Sequence, residues 1–107
     1  DFDDAIMPYI NVPVDKNNPD FLFMRVIGKG NSGVTPYFEL LDEFDDSTGL
    51  SAMQRTTGFT TAIIARWMAE DKIHHGVATP EFAIPTELFN EFLGEVSGYF
   101  DIKARYQ

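Results

Sequence analysis

The sequence predicts an α+β domain in which two helices pack on one face of a mainly antiparallel sheet. Three observations predict it. Two apolar runs flank a glycine-rich connection in the first half, as in an antiparallel hairpin. Two later segments carry apolar residues at helical spacing, and an alternating stretch closes the chain. The order strand, strand, helix, helix, strand gives the helices one face of a sheet to cover. With 107 residues, 44% of them hydrophobic and ten of them Phe, residues 1–107 read as a single domain with a real core.

Residues 1–20 are rich in Asp, Asn and Pro, with apolar points only from Ile6 to Ile10 and Val12 to Val14, and read as an irregular lead-in. Phe21 to Ile27 is apolar and partly β-branched, the composition of a strand. Gly28-Lys29-Gly30-Asn31-Ser32-Gly33 is turn chemistry, and Thr35 to Phe44 is the returning strand. After the acidic corner Asp42-Glu43-Phe44-Asp45-Asp46, Ser51 and Gln54 have capping-box spacing. They predict a helix from there to about Asp71 or Lys72. Met53, Thr57, Thr60, Ile64 and Trp67 fall on one helical face, with Ile63 and Met68 beside them. Gly58, Ala62, Ala65 and Ala69 make a small-residue strip suited to close approach by a sheet, since Gly58 costs about 1 kcal/mol against Ala and needs tight packing in return. Thr79-Pro80-Glu81 predicts a capped turn with proline at the first helical position. Pro85 opens a second helix through Ser97, striped by Leu88, Phe89, Phe92, Leu93 and Val96 and stopped at Gly98. Tyr99 to Tyr106 returns as the last strand.

Charge narrows the partners. A net charge of −9 with eight Lys and Arg scattered along the chain provides no basic patch for a phosphate backbone, so nucleic acid is not an expected partner. An anionic membrane surface is excluded on the same ground. No apolar run approaches the roughly 20 residues of a membrane span. The absence of cysteine excludes disulfides, thiolate metal sites and cysteine nucleophiles and fits a reducing, cytoplasmic setting. The opening Asp1-Phe2-Asp3-Asp4 lacks both an initiator Met and the basic character of a signal peptide, so the chain reads as a piece of a longer protein.

Several motifs reduce to structure. Gly28-x-Gly30-x-x-Gly33 matches a dinucleotide fingerprint, but Val34-Thr35-Pro36-Tyr37-Phe38 follows it. That segment begins no helix to receive a pyrophosphate, so the hairpin-turn reading is preferred and no cofactor is expected on these residues. His74-His75 has no third ligand at metal-site spacing, and Asp42 to Asp46 lacks the alternation and glycine of a calcium loop. No metal is expected at either place. No nucleophile stands beside a base, and no catalytic residue is assigned.

The most informative segment is Ser51-Ala52-Met53-Gln54-Arg55-Thr56-Thr57-Gly58-Phe59. The free amides and positive dipole end of a first helical turn, joined by Arg55 and two hydroxyls, can hold a carboxylate. The structural alternative is a capped helix whose Thr hydroxyls bond back to the preceding turn, with Arg55 anchoring the acidic corner at Asp45 and Asp46.

Leu41-Asp42, Thr48 through Gly58, Ala62-Ile63-Ile64-Ala65, and Gly76-Val77 with Pro80-Glu81 together resemble the C-terminal, non-Rossmann domain of the saccharopine dehydrogenase-like family. The resemblance covers about residues 38–95 and rests on the combination of parts. It implies a domain working beside a Rossmann domain that binds NAD or NADP, and one that supplies substrate contacts and subunit contacts in a homodimer. It further implies an oxidoreductase acting on C–N bonds of an amino acid or polyamine-type substrate, as in lysine metabolism. Arg55, Thr56 and Thr57 become the substrate-binding candidates. The Rossmann half is missing from this chain, so turnover by the chain alone is not expected. The alternative is a non-enzymatic oligomerisation or small-ligand-binding module sharing the fold.

Overall fold

The computed structural model describes residues 13–31, 35–74 and 76–106. Within them the order is β1 (Phe21–Ile27), β2 (Pro36–Glu43), α1 (Ala52–Ala69), α2 (Pro80–Ala83), a 3-10 turn (Thr86–Leu88), α3 (Phe89–Val96) and β3 (Asp101–Tyr106). The three strands form one antiparallel sheet in the order β1-β2-β3. The expected α+β class and the hairpin are both present. The lead-in points Ile6 to Ile10 and Val12, and also Gly33 and His75, lie outside the described residues.

Period-two alternation divides the sheet into two faces. Leu40 of β2 and Ile102 of β3 face each other in register and join the core. Phe38, on the same face, meets Phe89 edge-on at 6.0 Å between centroids. The helices therefore pack on the face that carries Phe38, Leu40 and Ile102, leaving Ala104 at its rim exposed. The opposite face carries Phe21, Phe23, Ile27, Tyr37 and Leu41, with Arg25 hydrogen-bonded to Glu39 across the strands.

Ile63, Trp67, Ile73, Ala83, Val96 and Phe100 form the buried cluster. Trp67 is fully buried. Its indole N–H donates to Glu95 Oε1 at 3.0 Å, and Phe92 lies edge-on 5.7 Å away. An indole is tolerated at the centre of a core when its N–H finds such an acceptor. Arg66 also pairs with Glu95, and Lys72, just past the end of α1, with Glu91 at 2.7 Å, so one ion pair from the helix and one from the residues after it reach α3.

The buried face of α1 keeps the expected Ile63, Ile64, Trp67 and Met68 but departs from the expected one in its first half. Ala52, Ile63 and Trp67 are buried with Phe59 and Ile64 beside them. Met53 is 60% exposed, and Thr57 faces solvent. The strip Gly58, Ala62, Ala65 and Ala69 is exposed, and a Cβ at Gly58 would meet nothing within 4 Å. Phe59 and Ile63 are the larger apolar groups, and burying them turns the helix so that the small residues point outward.

α1 also ends two residues early. Asp71 adopts φ 57°, and the Lys72 and Asp71 N–H groups donate to the Trp67 and Met68 carbonyls. This is a Schellman stop with Asp at the left-handed position that glycine usually takes. The second predicted helix is split at Leu88 into a 3-10 turn and α3. The Pro80 turn forms as expected, although Thr79 makes no side-chain cap bond.

Candidate functional site

The residues singled out by the sequence sit where β2 hands over to α1. Asp42 is buried near the end of β2. The chain then closes a tight loop, with Asp45 N–H donating to Leu50 C=O at 2.9 Å and Gly49 N–H to Asp45 C=O at 2.8 Å. Gly49 takes φ 72°, which its missing Cβ permits. Asp45 organises the loop. Its Oδ1 accepts from the Ser47 hydroxyl at 2.7 Å and the Ser47 N–H at 2.9 Å, and its Oδ2 accepts from the Thr48 hydroxyl at 2.9 Å. These bonds, led by the Ser47 hydroxyl and helped by the charge of Arg55 against partial burial, lower its pKa from 3.8 to about 2.

Ser51 then caps α1 as its spacing predicts. Its hydroxyl accepts from Gln54 N–H at 3.0 Å, and the Gln54 side chain accepts from Ser51 N–H at 2.9 Å. The two preceding amides of the helix are taken by a residue from far away in sequence. Asp20 accepts from Ala52 N–H at 2.8 Å and from Met53 N–H at 3.2 Å. The site offered to an external carboxylate by the helix dipole is thus filled by one of the protein's own.

Arg55 lies one turn in, its side chain only 15% exposed. Its Nε donates to Asp42 Oδ2 at 2.9 Å, Nη1 to Asp45 Oδ2 at 2.8 Å, and Nη2 to the Tyr99 carbonyl at 3.0 Å. The guanidinium also sits 5.6 Å from the Phe59 ring centroid, and Phe59 stacks on Tyr99 at 4.6 Å. One side chain therefore ties together the end of β2, the loop and the approach to β3. Thr56 donates to the Ala52 carbonyl at 2.8 Å, a bond back along its own helix. Thr57 points to solvent with its hydroxyl 3.9 Å from Met53 Sδ. The three candidates share a helical turn but do not converge on one point.

An open cleft beside Arg55 is lined by Leu41, Asp42, Glu43, Phe44, Asp45 and Asp101. Four carboxylates face one guanidinium there, a field that opposes an incoming anion. Two contributors escaped sequence reasoning. Asp20 reaches α1 across 32 positions, and Tyr99 accepts from Arg55 through its backbone. Neither leaves a local signal. Among the described residues no cluster of three metal-ligating side chains occurs, and no helix is long and apolar enough to cross a membrane.

Fold and site together define an α+β domain in which a capped helix is latched by Arg55 onto the end of the central strand. The family model for the saccharopine dehydrogenase C-terminal domain matches residues 11–102. The chain belongs to that family. No curated protein and no solved structure matches it.

Proposed function

We propose that this chain is the substrate-side and dimerisation domain of an NAD(P)-dependent oxidoreductase, acting in the cytoplasm on C–N bonds of an amino acid or polyamine-type substrate. The observation that carries the reading is the family match over residues 11–102. The nicotinamide cofactor would lie on a Rossmann domain of the parent protein. This chain's own residues do not fit a dinucleotide. Gly28 and Gly30 follow β1, but β2 returns antiparallel from Pro36, so the loop opens no helix N-terminus for a pyrophosphate. Hydride transfer needs the nicotinamide held against the substrate carbon, and the chain alone is therefore inactive.

The assignment of Arg55, Thr56 and Thr57 to substrate binding rests on the family resemblance. A specific observation favours a second role for Arg55, because its three nitrogens are already committed to Asp42, Asp45 and Tyr99. In that role it is a positioning residue that holds the floor of the cleft, and a substrate carboxylate would have to displace Asp45 or Tyr99 to reach it.

The experiment is twofold. Titration calorimetry of this chain with NAD and with NADP should give no saturable heat at millimolar ligand. The full-length protein should show nicotinamide-linked oxidation of a secondary amine or amino acid, or reduction of the corresponding imine. Micromolar cofactor binding by the chain alone, about −8 kcal/mol, would overturn the proposed division of labour.

A further inference from the structure

The two edges of the sheet are unlike. β3 alternates Asp101, Lys103 and Arg105 along its exposed face, the charged pattern that blunts an edge against pairing. β1 has no neighbour on its outer side among the described residues. Five of its seven residues, Phe21, Phe23, Met24, Val26 and Ile27, are large apolar groups 49–73% exposed. They lie on both faces of the strand, so neither face alone explains them. A solitary edge of this kind is an aggregation hazard unless another strand covers it.

The backbone phase shows what β1 offers. Asp20 C=O accepts from Phe44 N–H at 3.0 Å, and Gly28 N–H donates to Pro36 C=O at 2.9 Å. Hydrogen-bonded and non-bonded pairs alternate in an antiparallel ladder, so the even-numbered residues of β1 bond inward to β2. The N–H and C=O groups of Phe21, Phe23, Arg25 and Ile27 point outward.

We infer that β1 pairs antiparallel with β1 of a second copy of this chain, joining two three-stranded sheets into one of six. This deepens the homodimer in the proposed function and rests on that part of it. The symmetric register centred on Met24 uses all seven residues. Phe21 lies opposite the partner's Ile27, Leu22 opposite the partner's Val26, and Phe23 opposite the partner's Arg25. The outward groups of the odd-numbered residues then meet as hydrogen-bonded pairs.

Net charge opposes self-association, and β1 is where it opposes it least. The chain carries −9, yet β1 contains no acidic residue and its single Arg25 is matched by Glu39 of its own chain. Arg25 already lies 5.8 Å from its own Phe23 ring centroid, and the register sets it across from the partner's Phe23, a cation–π pairing of the same kind.

Sedimentation of this chain tests the pairing. Phe23→Pro removes an outward N–H without touching a bond to β2, and Phe23→Lys keeps the backbone and sets a cation against the partner's Arg25. Both, with circular dichroism showing the fold retained, should raise the dimer Kd on the order of 100-fold or more, as losing about 3 kcal/mol of interface would. Arg105→Glu on β3 should leave the dimer intact. A monomeric wild type at 100-fold dilution steps up to about millimolar would overturn both the pairing and the homodimer. A dimer that survives both Phe23 substitutions, or one that Arg105→Glu breaks equally, would overturn the β1 pairing and leave dimerisation to another face. The cofactor and activity tests above do not depend on any of these outcomes.

Discussion

Replacing Arg55 with Ala removes three hydrogen bonds at once, and two of them end on carboxylates. The larger effect falls on Asp42, 8% exposed, which is left as a buried anion without its cation. Breaking a buried pair from one side costs about 3–5 kcal/mol, because the surviving charge stays desolvated. Asp45 is more open and keeps its bonds from Ser47 and Thr48, so the lower end of that range applies. About 3 kcal/mol should lower Tm by roughly 12–24 °C in a domain of this size. Thermal and urea unfolding followed by circular dichroism reads the change. The double variant Arg55→Ala with Asp42→Asn should recover part of the loss, since the stranded charge is gone, and the coupling between the two sites should be about 1 kcal/mol or more. A loss under about 0.5 kcal/mol, with no coupling, would refute the latch. In the full-length protein the same substitution separates the two roles of Arg55. Anchoring lowers Tm and leaves the kinetics of the folded enzyme unchanged, whereas substrate binding raises KM or lowers kcat by roughly ten- to a hundred-fold.

Two further outcomes follow from the same corner. Asp20→Ala leaves the Ala52 and Met53 amides without their acceptor and should cost about 1–2 kcal/mol, as loss of a cap does; an unchanged urea midpoint would show that water substitutes freely. The folded-state pKa of Asp45, about 2, lies below its ordinary 3.8, so the folded protein resists protonation there. Its contribution to stability is complete above about pH 4 and drains away as pH falls towards 2. Urea midpoints at pH 5, 4, 3 and 2 should therefore fall less steeply below pH 4 in Asp45→Asn than in the wild type, and equal slopes would contradict the assignment.

What the sequence determined by itself was local. The bounds of β1, the capping box at Ser51 and Gln54, the hairpin and the proline turn at Pro80 all follow from neighbours within a few positions, where propensity and capping act. The family pattern was legible too, because its residues cluster from Leu41 to Gly58 and recur to Glu81. The tertiary structure decided what depends on distant partners. Helical spacing marks several stripes on α1, and only the sheet and α3 select the one with Phe59, Ile63 and Trp67 while leaving Gly58 and Ala62 outside. The sequence already offered Asp45 as an alternative anchor for Arg55, while the helix amides could have met any carboxylate. The fold supplies Asp42, Asp45 and, from 32 positions away, Asp20, because a charge at a helix start finds its partner through space and not along the chain.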